Sequence, residues 1–423
     1  MDKLLVEGGN VLNGTIPISG AKNASLPILA ATILTDEECR IKNVPDLKDV
    51  STMIKILNAL GRDARREGDT IIVSAGQIKN HIAPYELVST MRASIVVLGP
   101  LLGRFGEAEV SFPGGCVIGP RPIDLHLKGL RALGVEIEVK SGYILANGKN
   151  LKGRKIYLGG HFGSSVLATD NVLMAAVFAE GETIIENSAS EPEVEDLARF
   201  LIAMGADIKG AGTSTLKVRG VKSLRGTEYS VIPDRIEAGT YMIGALITNG
   251  RLYLEHARAE HNLALIDKLR EAGGVIDEVD GGLEVYRAGD VINPIDITTL
   301  TYPGFPTDLQ AQMMSLAAIS NGISVITEKI YPDRFIHISE LNRMGADIVI
   351  EGATAIVKGT NKLSGAPVMA SDLRASAALV LAGLVASGQT EIARVYHLDR
   401  GYEKLEEKLS AVGAKIWRMK EIK

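Results

Sequence analysis

The sequence predicts an α/β fold built from six repeats of about 70 residues, and three observations support this prediction. A helical pattern that ends in glycine recurs six times in the 423 residues. A nearly all-apolar helical stretch precedes each of these patterns. Short alternating stretches separated by polar, glycine-containing turns follow them, and such stretches indicate hairpins. The recurrent glycines lie 73, 71, 68, 72 and 68 residues apart, at Gly61, Gly134, Gly205, Gly273, Gly345 and Gly413.

The two kinds of helix are expected to occupy different places in each repeat. The helix that ends in glycine has apolar residues on one face, such as Ile54, Leu57 and Leu60, so only that face is expected to be buried. Its glycine stands where a helix C-cap needs a left-handed residue. The preceding helix, as in residues 168–181, is apolar on all sides, which indicates full burial. Each repeat should therefore contribute one central helix, one surface helix and about four strands.

Six repeats are too many for one hydrophobic core, because single cores stop growing at about 250–300 residues. The sequence therefore predicts two clusters of three repeats, with a division near Lys222–Pro233. The stretch Met1–Ile18 belongs to no repeat, and its pattern indicates strands. These strands could pair back into the second cluster.

Composition excludes several classes of protein. The chain has 46 Lys and Arg against 51 Asp and Glu, a net charge of −5, and only 4% aromatic residues. It therefore lacks the basic surface and the stacking platforms of a nucleic-acid binder. No apolar run approaches the roughly 20 residues of a membrane span, and no secretory signal core is present, so a cytoplasmic protein is expected. Histidine and cysteine spacings predict no metal site, and motifs for nucleotide hydrolysis or dinucleotide binding are absent.

Cations stand at the N-terminal ends of four of the apolar helices. Lys22, Arg92, Arg235 and Arg374 all lie in or near a predicted first turn, where the helix dipole disfavours positive charge. One interpretation is that each is a solvated helix end. Recurrence in equivalent repeats favours another, in which free N–H groups and cations together bind an anion that carries phosphate, carboxylate or both.

Three acidic residues occupy the same kind of position. Asp234, Asp308 and Asp372 all fall in predicted first turns, where an N-cap is the usual role of a carboxylate. Asp308 lies between prolines and an apolar helix, so it could equally be a general base.

The loop around Cys116 is the most distinctive local feature. Cys116 stands in a Gly- and Pro-rich segment, with Arg121 five residues further on. A loop cysteine beside cations is expected to have a lowered pKa and to be reactive. Cys39, in contrast, is expected to be buried and inert. A Cys–His pair with His126 is a weaker interpretation, because no residue that would orient the imidazole is visible.

The motifs SGAKNASLPILAA, FPGGCVIGPRPIDLH, PDRIEAGTYM, FPTDLQAQ, DLRASAALVLAGL and HLDRGYEKL occur in order along the chain. With the six repeats, they resemble the UDP-N-acetylglucosamine 1-carboxyvinyltransferases (UDP-GlcNAc enolpyruvyl transferases) of the EPSP synthase superfamily, from the first strand to the last helix. The resemblance implies a two-domain inside-out α/β barrel with the active site in the interdomain cleft. It also implies the domain limits, residues 21–232 and residues 1–20 with 233–423.

The resemblance implies a reaction as well. The enolpyruvyl group of phosphoenolpyruvate passes to the 3′-hydroxyl of UDP-GlcNAc, and phosphate leaves by addition and elimination through a tetrahedral intermediate. This is the first committed step of peptidoglycan synthesis in the bacterial cell wall, and fosfomycin inhibits the family. The implied partners are these two small molecules, with no nucleic acid, membrane, metal or cofactor.

Site residues carry over from the family by position. Cys116 matches the proton donor that can also form a covalent adduct, and Asp308 matches a candidate base. Lys22 and Arg400 match catalytic cations. The contacts to phosphoenolpyruvate match Lys22, Asn23, Arg121 and Arg400. The contacts to UDP-GlcNAc match Asn23, Arg92, Arg121, Pro122, Ile123, Asp124, Leu125, Ser165, Val166, Asp308 and Ile330. The residues of the closing cleft match Arg334, Asp372 and Arg374.

One segment departs from the family pattern and leaves the acceptor open. Where the family usually has S-V-G-A-T, this chain has Leu167 in place of the glycine, with about three extra residues upstream. A side chain at this position blocks close approach of the backbone to the nucleotide. Another UDP-sugar or nucleotide is therefore an alternative acceptor. Shikimate 3-phosphate is disfavoured by the SGAKNA motif and the loop cysteine, and a non-catalytic repeat scaffold by the specific cations.

Overall fold

The computed structural model describes residues 2–78, 80–114 and 123–420. Several short 3-10 turns and thirteen α-helices lie in these ranges. The helices are α1 (Lys22–Ala31), α2 (Lys48–Ala59), α3 (Tyr85–Val88), α4 (Leu98–Phe105), α5 (Asp124–Ala132), α6 (Val166–Ala176), α7 (Pro192–Met204), α8 (Arg235–Ile247), α9 (Leu263–Glu271), α10 (Gln310–Ala317), α11 (Ile338–Arg343), α12 (Leu373–Val385) and α13 (Leu405–Ala411).

The same ranges contain twenty-four strands. The first twelve are β1 (Lys3–Glu7), β2 (Asn13–Pro17), β3 (Cys39–Lys42), β4 (Ala64–Glu67), β5 (Thr70–Val73), β6 (Ile82–Ala83), β7 (Glu107–Ser111), β8 (Glu136–Lys140), β9 (Tyr143–Asn147), β10 (Lys155–Tyr157), β11 (Glu182–Glu186) and β12 (Asp207–Lys209). The others are β13 (Thr215–Arg219), β14 (Glu228–Ser230), β15 (Arg251–Glu255), β16 (Gly274–Val279), β17 (Gly282–Arg287), β18 (Asp296–Thr298), β19 (Ile323–Thr327), β20 (Asp347–Glu351), β21 (Thr354–Lys358), β22 (Pro367–Met369), β23 (Gln389–Ala393) and β24 (Lys415–Met419).

These strands form six four-stranded sheets of one design. Each sheet contains one parallel pair, such as β10 with β11, and two antiparallel pairs, such as β11 with β13 and β13 with β12. The strand orders are β14-β3-β5-β4, β6-β7-β9-β8, β10-β11-β13-β12, β16-β17-β15-β2, β18-β19-β21-β20 and β22-β23-β1-β24. The predicted sixfold α/β repeat, with about four strands in each repeat, is therefore confirmed.

The N-terminal strands complete two sheets that are otherwise made from the C-terminal half of the chain. Strand β1 lies between β23 and β24, with Leu4 opposite both Ile392 and Arg418. Strand β2 runs parallel to β15. The stretch that belongs to no repeat thus supplies strands to the later repeats, as the sequence predicts.

The described residues fall into two compact units. The N-terminal unit comprises residues 20–114 and 123–232, and the C-terminal unit comprises residues 2–19 and 233–420. Each unit has its own hydrophobic core. In the C-terminal unit, helices α8, α10 and α12 are buried on all sides, as α6 is in the N-terminal unit. These are the helices that the sequence predicts to be central.

The six recurrent glycines all adopt the left-handed backbone conformation expected of helix C-caps. Their φ angles lie between 93° and 109°. The prediction was wrong for residues 91–103, where one helix ending at Gly103 was expected. Residues 92–97 form a 3-10 turn, and α4 continues past Gly103 to a left-handed cap at Gly106. Gly99 instead permits close packing, because a Cβ there would lie 2.2 Å from the carbonyl oxygen of Asn171 in α6.

Among residues 2–78, 80–114 and 123–420, no helix has both the length and the apolar character needed to cross a bilayer.

Candidate functional site

The residues singled out in the sequence are distributed over both units. The N-terminal unit contains Lys22, Asn23, Arg92, Ile123, Asp124, Leu125, Ser165 and Val166. The C-terminal unit contains Asp308, Ile330, Arg334, Asp372, Arg374 and Arg400. Cys116, Arg121 and Pro122 lie outside the described residues.

Asp308 is clamped by two arginines from other parts of the C-terminal unit. It lies in a 3-10 turn, residues 307–309, immediately before α10. Nη1 of Arg334 donates to Oδ1 of Asp308 at 2.8 Å, and Nη2 of Arg374 donates to Oδ2 at 2.9 Å. Both carboxylate oxygens therefore receive a charge-assisted hydrogen bond. The cluster thus joins Asp308 to two arginines that follow it by 26 and 66 positions in the sequence.

This clamp sets the protonation state of Asp308. Both arginine side chains are 4% exposed and the Asp308 side chain is 28% exposed. Burial by itself would raise the pKa of Asp308, but Arg374 and Arg334 outweigh it and hold this pKa well below its usual value. The carboxylate is thus ionised at neutral pH and is a weak base. Moving either guanidinium away would raise the pKa of Asp308 and make it a stronger base.

A buried hydrogen-bond network lies beside Arg374. Its guanidinium carbon is 5.5 Å from the ring centroid of Tyr402, which is 2% exposed. The Tyr402 hydroxyl lies 2.8 Å from Oγ1 of Thr240 and accepts from Nε2 of Gln312 at 3.1 Å. Burial opposes the charge on Arg374, but Asp308, Tyr402 and Asp234 outweigh it and raise the Arg374 pKa.

The other two carboxylates in first turns are N-caps, as one of the sequence interpretations expected. Oδ1 of Asp372 accepts from the backbone N–H groups of Arg374 and Ala375 at 2.8 and 3.1 Å. Asp234 caps α8 in the same way. Asp372 therefore fixes the turn that carries Arg374, and its assignment to cleft closure stays a prediction.

Lys22 is the first residue of α1, in the N-terminal unit. The N-cap residue of this helix, Ala21, supplies no side-chain cap. Nζ of Lys22 lies 3.3 Å from Oδ2 of Asp49, and the two side chains are 13% and 7% exposed. A helix N-terminus with a cation at its first residue can bind an anion. Asp49 was missed in the sequence, because nothing local relates it to a residue 27 positions earlier.

Arg92 begins the 3-10 turn that precedes α4, and it influences His126. Burial and the charge of Arg92 lower the pKa of His126 to about 3. Nδ1 of His126 lies 2.8 Å from Nδ2 of Asn171. The Asn171 amide also donates to the carbonyl oxygen of Ile95 and accepts from the backbone N–H of Gly99. A neutral imidazole held as an acceptor in a packed core is a poor partner for activating a thiol. The geometry favours a structural His126 over a Cys–His pair.

The remaining predicted residues lie at element ends. Asp124 begins α5, directly after Ile123 and before Leu125, while Ser165 is the N-cap of α6 and its hydroxyl accepts from the N–H of Ala168. Arg400 ends a 3-10 turn, residues 395–400. Its neighbour Asp399 accepts two hydrogen bonds from Arg418, at 2.6 and 3.0 Å. The structure thus gives this turn an anchor that the sequence did not reveal.

Cys39 and Leu167 both pack against the core of the N-terminal unit. Burial raises the pKa of the Cys39 thiol, which agrees with the expectation of an inert cysteine. Leu167 is the second residue of α6 and is partly buried against that core. Within the described ranges, no group of three or more His, Cys, Asp or Glu side chains is arranged to hold a metal ion.

Comparison with known proteins identifies the family. Residues 6–409 match the sequence model described as EPSP synthase (3-phosphoshikimate 1-carboxyvinyltransferase). The chain is 55% identical over 419 residues to the UDP-N-acetylglucosamine 1-carboxyvinyltransferase of Methylacidiphilum infernorum, covering 99% of both chains. It is 54% identical over 424 residues to the protein of the same name in Myxococcus xanthus, covering 99% of this chain and 100% of the relative.

Solved structures agree with this result. The enolpyruvyl transferase NikO from Streptomyces tendae matches with a TM-score of 0.88 and 26% identity, covering 99% of this chain and 98% of that one. EPSP synthase from Acinetobacter baumannii, at 18% identity, matches in fold with a TM-score of 0.78 and covers 99% of this chain and 100% of that one. The chain therefore belongs to the EPSP synthase family and, within it, to the UDP-N-acetylglucosamine 1-carboxyvinyltransferases.

Proposed function

We propose that this protein transfers the enolpyruvyl group of phosphoenolpyruvate to the 3′-hydroxyl of UDP-N-acetylglucosamine and releases phosphate. The observation that carries the proposal is 53–55% identity over nearly the full length to relatives that bear the corresponding name. The reaction would be the first committed step of peptidoglycan synthesis and would take place in the cytoplasm. Phosphoenolpyruvate and UDP-GlcNAc would be its only partners.

The chemistry requires a proton donor, a proton acceptor and fixed cations. In the addition step, the 3′-oxygen bonds to C2 of phosphoenolpyruvate while C3 gains a proton. In the elimination step, C3 loses a proton, the bond from C2 to the phosphate oxygen breaks, and inorganic phosphate leaves. Cys116 is proposed to deliver the proton to C3, and Asp308 to take the proton of the 3′-hydroxyl.

The clamp on Asp308 supports a specific form of this role. A carboxylate held by Arg334 and Arg374 is too weak a base at rest. An anionic substrate that competed for either guanidinium would weaken the clamp and raise the pKa of Asp308 toward the range of a useful base. Binding of phosphoenolpyruvate would thereby prepare the acceptor side of the reaction. Lys22, Asn23, Arg121 and Arg400 are proposed to bind the phosphate and carboxylate of phosphoenolpyruvate.

UDP-GlcNAc is proposed to contact the residues that match the family's acceptor site. These are Asn23, Arg92, the 121–125 stretch, Ser165, Val166, Asp308 and Ile330.

The test is release of inorganic phosphate from phosphoenolpyruvate with and without UDP-GlcNAc. The proposal expects release that depends on UDP-GlcNAc and a product heavier than UDP-GlcNAc by one enolpyruvyl group. Asp308→Asn should reduce the rate strongly, and Glu7→Gln, which alters an exposed pair with Lys415, should not. Absence of release at millimolar concentrations of both substrates would refute the proposal.

A second acceptor is favoured by one observation, the Leu167 side chain near the start of α6. The matched experiment measures phosphate release with UDP-GlcNAc, other UDP-sugars, other nucleotides and shikimate 3-phosphate in parallel. A higher kcat/KM with an acceptor other than UDP-GlcNAc would support the alternative. Leu167→Gly should then shift the preference toward UDP-GlcNAc.

A further inference from the structure

Glu328 is a buried carboxylate that the proposed chemistry leaves without a role. It follows β19 directly and is 0% exposed. Burying a carboxylate is costly unless hydrogen bonds satisfy its oxygens. A fully buried acidic residue in this position therefore needs an explanation.

Four hydrogen bonds satisfy the Glu328 carboxylate. Oε1 accepts from the hydroxyl of Thr299 at 2.6 Å and from the backbone N–H groups of Ile330 and Tyr331 at 2.8 and 2.9 Å. Oε2 accepts from the hydroxyl of Thr307 at 2.9 Å. One oxygen thus holds the segment that leads to Arg334, and the other holds the residue immediately before Asp308.

Thr307 connects this carboxylate to the Asp308 clamp. Its hydroxyl donates to Glu328 and accepts from Nη1 of Arg334 at 3.0 Å. The same nitrogen donates to Oδ1 of Asp308 at 2.8 Å. Nη1 of Arg334 therefore has two acceptors, and together these hydrogen bonds fix the orientation of the guanidinium toward Asp308.

We propose that Glu328 and Thr307 form a positioning dyad that holds Arg334 in register with Asp308. The dyad does not touch the reacting atoms and acts through Arg334. Loss of the Thr307 hydroxyl leaves a buried N–H of Arg334 without its acceptor and Oε2 of Glu328 without its donor. The guanidinium then turns to find another partner, and its hold on Asp308 weakens. This inference deepens the proposed function, because it concerns the same candidate base.

Thr307→Val removes the hydroxyl with almost no change in volume, and Thr307→Ser keeps the hydroxyl. The matched control is Thr390→Val. Thr390 is a buried threonine of the same unit, and its hydroxyl has no hydrogen-bond partner among the residues that the structure describes. The assay is UDP-GlcNAc-dependent phosphate release from phosphoenolpyruvate, with kcat and KM measured from pH 5 to 9.

For Thr307→Val we expect kcat to fall about 10- to 100-fold, the size expected when a catalytic group is displaced by up to 1 Å. The acid limb of the kcat profile should move to higher pH, because a weaker clamp raises the pKa of Asp308. Thr307→Ser should restore most of the rate, and Thr390→Val should match the unsubstituted protein. Unchanged kcat and acid limb in Thr307→Val would overturn the inference, as would equal impairment of Thr307→Ser.

Glu328→Gln provides an independent second variant. The glutamine side chain has the same shape but carries one amide nitrogen in place of a carboxylate oxygen. In one orientation this nitrogen faces the Thr307 hydroxyl, and in the other it faces the three donors that bond to Oε1 of Glu328. We expect the same upward move of the acid limb, and its absence in both Glu328→Gln and Thr307→Val would refute the dyad.

A measurement without turnover separates this inference from the proposed function. Chemical unfolding of the unsubstituted protein and of Thr307→Val is compared at pH 7 and near pH 3. Stability from a depressed carboxyl pKa is present at neutral pH and is lost as pH falls through the folded-state pKa. The gap in stability between the two proteins should therefore be larger at pH 7. If the unsubstituted protein releases no phosphate but this gap behaves as expected, the proposed function fails and the dyad stands. If the gap is absent or does not depend on pH, the dyad fails.

Discussion

The clamp on Asp308 predicts a stability effect that can be worked out from the structure. Asp308→Asn keeps one acceptor oxygen but places an amide nitrogen, a donor, against the second guanidinium. One charge-assisted hydrogen bond contributes about 1.5–3 kcal/mol. Leaving a buried charge without its partner costs about 3–5 kcal/mol. Because the Asp308 side chain is 28% exposed, water replaces part of this loss, and we expect the lower end, about 3 kcal/mol.

The assay is unfolding in guanidinium chloride followed by tryptophan fluorescence. The chain has a single tryptophan, Trp417, which lies in β24 of the C-terminal unit and so reports on the unit that contains Asp308. The stability that the ionised carboxylate provides is present above its unfolded-state pKa of about 3.9 and is lost as pH falls through the lower folded-state pKa. The difference between the unsubstituted protein and Asp308→Asn should therefore shrink as pH falls below about 4.

Glu7→Gln is the control for this measurement, because its ion pair with Lys415 lies on the surface of the same unit. It should change stability little at any pH. Equal stability of Asp308→Asn and the unsubstituted protein at pH 7 would show that the two arginines do not stabilise the fold through Asp308. A stability difference that stays constant from pH 7 to pH 3 would refute the electrostatic part of it.

Three further predictions concern other parts of the chain. Lys408→Met removes the ammonium 2.7 Å from Glu237, whose side chain is 2% exposed, and should cost about 3–5 kcal/mol at pH 7 in denaturant unfolding. Burial raises the pKa of Glu237 in the folded protein, and Lys408 opposes that rise. The loss should therefore grow as pH rises through the raised folded-state pKa, above the ordinary value of about 4.3. A loss that grows toward low pH would contradict this expectation. Gly205 has a φ of 109°, so Gly205→Ala should lower the free energy of unfolding by about 1 kcal/mol. The control is Gly289→Ala, which should not lower it, because Gly289 is not left-handed and an added Cβ would meet no described atom within 4 Å. Equal effects of the two substitutions would contradict the C-cap assignment. Fosfomycin should add one adduct to the intact mass, absent in Cys116→Asp, because burial raises the pKa of the other cysteine, Cys39; an unchanged mass would argue against a reactive Cys116.

The repeat could be predicted from the sequence because it depends on local backbone requirements. A helix C-cap needs a left-handed residue whatever the rest of the fold does, so Gly61, Gly134 and their four equivalents mark the repeats directly. The N-cap roles of Asp234 and Asp372 were readable for the same reason. Gly99 and Gly103 could not be interpreted in this way. A side chain is disfavoured at these positions by the backbone of α6, which lies about 70 residues away in the sequence.

Long-range partners could not be read from the sequence. Tyr402 meets Thr240 across 162 positions, and Glu328 meets Thr307 across 21. Neither pair has a spacing that a helix or strand would impose. Asp308 itself was identified as a candidate base, but only the structure reveals the two guanidiniums that make it a weak one at rest.

UDP-GlcNAc is proposed to be the acceptor of the enolpyruvyl group in this family member. The most direct test is inorganic phosphate released from phosphoenolpyruvate, measured with UDP-GlcNAc present and absent and with the nucleotide product identified by mass. We expect release only when UDP-GlcNAc is present, in amounts equal to the UDP-GlcNAc enolpyruvyl ether that is formed. No release with UDP-GlcNAc, or equal release without it, would show that UDP-GlcNAc is not the acceptor.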